Sequence, residues 1–66
     1  MGGAVREVQA LGNGKYRVLA AGWFADVEYF FAEGSREWCV DVLQTNSALP
    51  EYEIADIAVK AIQESF

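Results

Sequence analysis

The segment from Val27 to Val42 has β-branched or aromatic residues at every second position on both sides of the pair Gly34–Ser35. Alternation with a period of two is typical of a β-strand with one buried face, and Gly–Ser is a favoured hairpin turn. The sequence therefore predicts a hairpin with an inward ladder of aromatic and β-branched residues at the heart of the core. Glu33 and Arg36 flank the turn as a predicted ion pair. The predicted ladder pairs are Val27–Val42, Tyr29–Val40 and Phe31–Trp38.

A second hairpin is predicted upstream, at Gly12–Gly14, because glycine and asparagine tolerate the positive φ angles of a tight turn. A three-residue loop separates apolar from polar side chains, whereas a two-residue loop at Asn13–Gly14 would mix them on each face. Patterning therefore favours the three-residue loop. The pairs that it predicts are Val8–Val18 and Ala10–Tyr16 on one face, and Gln9–Arg17 and Leu11–Lys15 on the other.

The chain after Pro50 changes to a helical period. Proline suits the first turn of a helix, and Glu51 and Glu53 would lie near the positive end of the helix dipole. The segment between Gly22 and Ala25 is compatible with a turn, a bulge or a bent strand. We predict one α+β domain over residues 1–66, with two layers: an antiparallel sheet of about four strands in two hairpins, and one C-terminal helix on one face. The apolar residues of the helix are Ile54, Ile57, Ala58, Ala61 and Ile62.

Several side chains that catalysis commonly needs are absent. The chain has no histidine, which is the commonest general base near neutral pH and a frequent metal ligand. Cys39 therefore has no histidine to activate it, and a small two-layer domain offers little room for a catalytic cleft. We expect a protein that is not an enzyme and that has no cofactor and no metal site.

The charge is distributed unevenly. Residues 1–22 carry three basic side chains and one acidic one, whereas residues 23–66 carry two basic and nine acidic ones. Such a surface repels nucleic acid and anionic lipid and attracts a protein with a basic surface. Residues 1–6 lack the apolar run of a secretory signal, and the lone cysteine suits a reducing compartment, so we expect a cytoplasmic location.

The predicted register gives the sheet an unusual outward face. Glu28 lies opposite Asp41, and like charges in that position destabilise a sheet by a few tenths to about one kcal/mol. Apolar Phe30, Cys39 and Leu43 share this face, and carboxylates around an apolar patch are typical of a protein-binding surface. An alternative is that the charges only keep the sheet soluble. Trp23 lies on the open connection and is either a core aromatic, which is favoured, or an exposed anchor of an interface. The candidate partner-binding residues are Trp23, Asp26, Glu28, Phe30, Glu33, Glu37, Asp41 and Leu43.

In size, acidity and lack of catalytic groups, the chain resembles small phage-encoded inhibitors of the anti-CRISPR type. The resemblance covers the whole chain, includes no motif and assigns no individual site residue. It implies an inhibitor whose carboxylates take the place of phosphates on a nucleic-acid-binding target. The alternative is a structural or regulatory accessory module, such as an antitoxin-like partner, that forms a homodimer through Phe30 and Leu43 on the open sheet face. The candidate phosphate-mimicking set is Asp26, Glu28, Glu33, Glu37, Asp41, Glu51, Glu53 and Asp56.

Overall fold

The computed structural model describes residues 5–66 as four strands followed by one helix. The elements are β1 (Val5–Gly12), β2 (Lys15–Ala20), β3 (Trp23–Ala32), β4 (Glu37–Thr45) and α1 (Glu51–Ser65). The strands form one antiparallel sheet in the order β1-β2-β3-β4, and α1 packs on one of its faces. The predicted two-layer α+β fold is therefore confirmed. Residues 1–4, on which the expected lack of a signal partly rests, lie outside the described residues.

The strands are joined by three hairpins rather than by the two that the sequence predicts. The additional turn lies at Ala21 and Gly22, where Gly22 has a φ of 88°. Trp23 then begins β3 opposite Ala20. The segment that the sequence left open is thus a tight turn that leads directly into a strand, because glycine adopts a positive φ without steric cost.

The β1–β2 hairpin combines features of both loops that were considered. Val8, Gln9 and Ala10 have the predicted partners, but Lys15 pairs with Gly12 and not with Leu11. Asn13 and Gly14 have φ values of 56° and 76°, as a two-residue type I′ turn requires. A register shift at Leu11 adds one residue to β1. The prediction of a three-residue loop was wrong. A two-residue loop with a regular ladder would mix apolar and polar side chains, but the bulge at Leu11 restores the separation of the two faces.

The β3–β4 hairpin has the predicted register, from Val27–Val42 to Phe31–Trp38. Its loop is longer than the predicted Gly34–Ser35 turn and spans residues 33–36. Arg36 has a φ of 56°, and its N–H donates to the carbonyl oxygen of Ala32 over 2.7 Å. Among residues 5–66 the salt bridges are Arg17–Asp26 and Lys60–Asp56, so the predicted Glu33–Arg36 ion pair does not form.

The helix α1 begins after Pro50, as predicted, and the Pro50 carbonyl accepts the first helical hydrogen bonds. At the end of β4, Thr45 Oγ1 donates to the Phe24 carbonyl oxygen over 2.6 Å. Ile57 is only half-buried. No helix in residues 5–66 is long and apolar enough to cross a membrane. The buried side chains are Val18, Ala25, Val27 and Val40 from the sheet, and Ile54, Ala58, Ala61 and Ile62 from α1.

The predicted ladder is buried at only one of its ends. Val27 is fully buried and Val40 nearly so, whereas Phe31 is 46% exposed and Trp38 is 48% exposed. A strand of ten residues extends for about 33 Å and a helix of fifteen for about 22 Å. The helix is therefore too short to cover β3 along its whole length, and the prediction that Phe31 and Trp38 belong to the core was wrong.

Candidate partner-binding surface

The sheet face away from α1, here called the open face, presents alternate residues of every strand. The pair Phe30–Cys39 lies on this face towards the tip of the β3–β4 hairpin, beyond the last pair of β2 with β3, and both side chains are half-buried. Glu28 and Asp41 lie on one side of this pair, and Glu37 lies on the other. The structure thus brings together the predicted combination of apolar and acidic groups. The other open-face residues of β2, β3 and β4 include Lys15, Arg17, Leu19, Phe24, Asp26, Glu28, Glu37, Asp41 and Gln44.

Asp26 is neutralised by a neighbour on β2. Arg17 Nε lies 2.7 Å from Asp26 Oδ1, and Arg17 Nη2 lies 3.0 Å from Oδ2. These hydrogen bonds lower the pKa of Asp26, against the opposing effect of partial burial. The guanidinium also lies 5.8 Å from the centroid of the Phe24 ring, within cation–π range. Asp26 is therefore engaged within the fold and offers little charge to a partner.

The next charged row crosses β2, β3 and β4. Lys15 pairs with Glu28, and Glu28 pairs with Asp41, as predicted. The order of charges is positive, negative, negative, and it stops at β4 because β4 is the last strand. Asp41 thus has a like charge on one side and solvent on the other.

Four carboxylates, here called the acidic edge, lie on the β3–β4 hairpin without a salt bridge in the described part of the chain. Glu28 is half-buried, and the other three residues are exposed. Because exposed carboxylates without a salt bridge keep much of their field in solvent, this edge attracts a basic surface, although Lys15 lies opposite Glu28. Its members are Glu28, Glu33, Glu37 and Asp41.

Other candidate residues lie elsewhere. Trp23 packs against the core on the α1 side of the sheet, so the prediction that it belongs to the partner surface is not supported by its position. Leu43 has no partner on β3, since a register shift leaves it as the extra residue of a bulge. It lines a groove with Leu49 and Ile54, and it therefore lies between β4 and α1 instead of at the centre of the open face.

The acidic residues of α1 form a separate group. Glu51, Glu53 and Asp56 are exposed on the helix, in the layer opposite the open face. Asp56 Oδ2 lies 3.1 Å from Lys60 Nζ. The eight predicted phosphate-mimicking residues are thus divided between two layers, and one surface cannot present all of them to a flat partner.

Sequence reasoning missed that a row of aromatic rings near the end of α1 is partly exposed. The rings of Tyr29 and Trp38 stack with centroids 4.8 Å apart, and Phe31 meets Trp38 edge to face at 5.5 Å. Tyr16 connects Tyr29 to Phe66 at the end of the helix. Comparing the lengths of strand and helix would have revealed this row, because the alternation alone does not limit how far the core extends.

The described residues include no group suited to hold a metal ion and one shallow depression on the open face. In residues 5–66, no three His, Cys, Asp or Glu side chains come close enough together to hold a metal ion. The open-face depression beside the ion pair is lined by Arg17, Leu19, Phe24, Asp26 and Gln44. This arrangement is suited to docking. Comparisons with protein families, curated proteins and solved structures found no match for this chain.

Proposed function

We propose that this chain is a non-catalytic inhibitor that binds another protein. Its acidic edge docks on a basic surface with which the target otherwise binds DNA or RNA, in the manner of an anti-CRISPR protein or another nucleic-acid mimic. The observation that carries the proposal is the difference between Asp26, which Arg17 neutralises, and Glu28, Glu37 and Asp41, which have no salt bridge in residues 5–66. A lone cysteine suits a reducing compartment, so a cytoplasmic location is part of the proposal.

Two further features support this choice of partner. The cations of the sheet lie on β1 and β2, so the field along β4 is negative and steers a basic partner towards that side. The like-charge pair Glu28–Asp41 also costs stability in a small domain. A cationic partner would offset this repulsion, and binding would therefore recover some of what folding loses.

The test is affinity capture from a bacterial lysate, with elution in steps of rising salt. We expect a nucleic-acid-binding protein to elute as ionic strength rises, because salt screens exposed charge pairs. An oligonucleotide added at low salt should release the same protein. The double variant Glu28→Lys/Asp41→Lys should capture none of it.

The matched control is Glu53→Lys/Glu64→Lys on α1, which changes the net charge equally in the other layer. Circular dichroism should show that both double variants fold. If both double variants lose capture equally, the effect is one of net charge alone. If neither variant loses capture, the binding site lies away from the acidic edge.

A second candidate is an accessory homodimer formed through the open face. It is favoured by the division of this face into a cationic half, with Lys15, and an acidic half, with Glu28 and Asp41. Arg17 adds little charge to the cationic half, because it is already paired with Asp26. Two copies related by a two-fold axis parallel to the strands would place each cationic half over an acidic half. Phe30 would then lie within the interface, towards the tip of the β3–β4 hairpin.

Sedimentation equilibrium of the whole chain distinguishes this candidate. Phe30→Glu should convert a dimer to a monomer, because it puts a charge into an apolar interface. If the inhibitor proposal holds instead, the unaltered chain should sediment as a monomer at all concentrations.

A further inference from the structure

The two edges of the sheet differ in regularity. On β1 the register shifts twice, near Arg6 and near Leu11, whereas β4 pairs regularly with β3 from Glu37 to Val42. Bulges twist an edge away from further pairing. Strand β4 therefore offers the longer regular edge among the described residues, with six residues from Glu37 to Val42 against four on β1 from Glu7 to Ala10.

Side chains on β4 alternate between the two faces of the sheet over this stretch. Glu37, Cys39 and Asp41 belong to the open face, and Trp38, Val40 and Val42 belong to the α1 face. A strand added to this edge would meet two carboxylates with Cys39 between them on one face, and apolar side chains on the other. Trp38, which stacks on Tyr29, would contact the apolar face of the added strand.

We propose that the acidic edge binds its partner by strand addition: an extended segment with alternating basic and apolar residues pairs antiparallel with β4. The inference rests on the proposed function and specifies how the basic partner is recognised. A cation of the added segment beside Asp41 extends the row of Lys15, Glu28 and Asp41 to positive, negative, negative, positive. Backbone hydrogen bonds supply affinity, and alternate side chains supply specificity.

The groove at the other end of β4 fixes which face of the segment is apolar. It lies between β4 and α1 and is lined by residues that include Val42, Leu49 and Ile54, with Glu51 at its border. An apolar side chain of the added segment beside Val42 enters this groove. The next residue of the segment then lies on the open face, beside the carboxylates.

A second copy of this chain fits the edge poorly. Two β4 strands paired about a two-fold axis bring residues of the same face together, and the charged residues of that face, Glu37 and Asp41, are both acidic. Like charges directly opposite destabilise such a pair. The same carboxylates that keep copies apart attract a basic segment, so a basic occupant is favoured over a second copy.

The experiment uses capped peptides of about eight residues, a typical strand length, titrated into the whole ¹⁵N-labelled chain. The first peptide alternates lysine and valine, the second has the same composition in two blocks, and the third alternates but has N-methyl groups on alternate backbone nitrogens. A fourth peptide has these groups on the other nitrogens. In one of the two methylated peptides the N-methyl groups therefore lie on the nitrogens that would donate to β4.

We expect the alternating peptide to bind and to slow amide exchange in the stretch Glu37 to Val42 but not in β1. Two peptides should bind at least about tenfold more weakly than the alternating peptide: the one with its lysines and valines in two blocks, and one of the two methylated peptides. Asp41→Lys should weaken binding of the alternating peptide, and Glu53→Lys on α1 should leave it unchanged.

Equal binding of all four peptides would overturn strand addition while leaving a charge-driven acidic edge, and hence the proposed function, in place. Protection on β1, or no binding of the alternating peptide, would also overturn it. The lysate capture tests the proposed function separately: that function fails if Glu28→Lys/Asp41→Lys leaves the capture unchanged. A dimer that pairs through β4 would show amide protection without peptide and would overturn the choice of a basic occupant.

Discussion

The two ends of the β3–β4 hairpin have the same alternating pattern and different environments. At the root, Val27 and Val40 are buried beneath α1, while at the tip Phe31 and Trp38 are nearly half exposed. Both ends present apolar residues to the same face of the sheet. The difference teaches that alternation defines which face of a strand is apolar, whereas burial also requires a second layer above that face. The root is a stability element, and the tip is available for contact.

The largest loss of stability is expected from a cavity at the root of the hairpin. Ile54→Ala should lower the free energy of unfolding by about 2–5 kcal/mol, because Ile54 is 1% exposed and packs within the core cluster. Urea denaturation followed by circular dichroism measures the change. A loss below about 1 kcal/mol would mean that α1 does not cover the root tightly.

Removal of the largest ring at the tip should have a smaller effect on stability. Trp38→Ala should cost about 1 kcal/mol, because the ring stacks on Tyr29 but keeps half of its surface in solvent. The same urea experiment compares it with Ile54→Ala. Equal losses for the two variants would erase the distinction between root and tip.

The Arg17–Asp26 pair should make a still smaller, pH-dependent contribution. The pKa of Asp26 is lowered in the folded chain, so the stabilisation is fully present above the unfolded pKa of about 4 and disappears as pH falls through the folded value. Asp26→Asn should therefore destabilise the fold at neutral pH, by less than Trp38→Ala does. The difference between Asp26→Asn and the unaltered chain should shrink in strong acid.

A double-mutant cycle provides the control for this pair. Arg17→Gln should reproduce the loss at neutral pH, and combining it with Asp26→Asn should add little, because each change already breaks the same contact. An Asp26→Asn effect that is constant from neutral pH to strong acid would contradict a charge-based contribution.

The smallest expected effect is a gain in stability at the acidic edge. Asp41→Asn removes the like-charge repulsion with Glu28 and should stabilise the fold by a few tenths of a kcal/mol. Glu33→Gln, in the hairpin loop, is the control that should change little. Because about 1 M salt screens such charges, the gain should vanish there. A loss of stability in Asp41→Asn would show that Asp41 has a favourable contact within the fold.

The candidate site was predictable wherever it depended on strand register. Glu28 faces Asp41, and Phe30 faces Cys39, because the hairpin turn and the period of two determine these pairs locally. The neutralisation of Asp26 was not predictable, since the sequence left the connection from β2 to β3 open and hence did not place Arg17 beside Asp26. The sequence left Trp23 open between the core and the partner surface, because a turn decides where β3 begins. Leu43 was misplaced, because a bulge decides its position.

By itself, the sequence determined the kind of each element, the register of the β3–β4 hairpin and the uneven distribution of charge. These properties depend on neighbours in the chain: turn residues, the spacing of apolar side chains and the order of charged ones. The tertiary structure alone decided that β2 pairs with β3, that Arg17 neutralises Asp26 and that α1 leaves Phe31 and Trp38 open. Each of these depends on how distant segments pack together, and a helix of limited length can bury only the part of the sheet on which it lies.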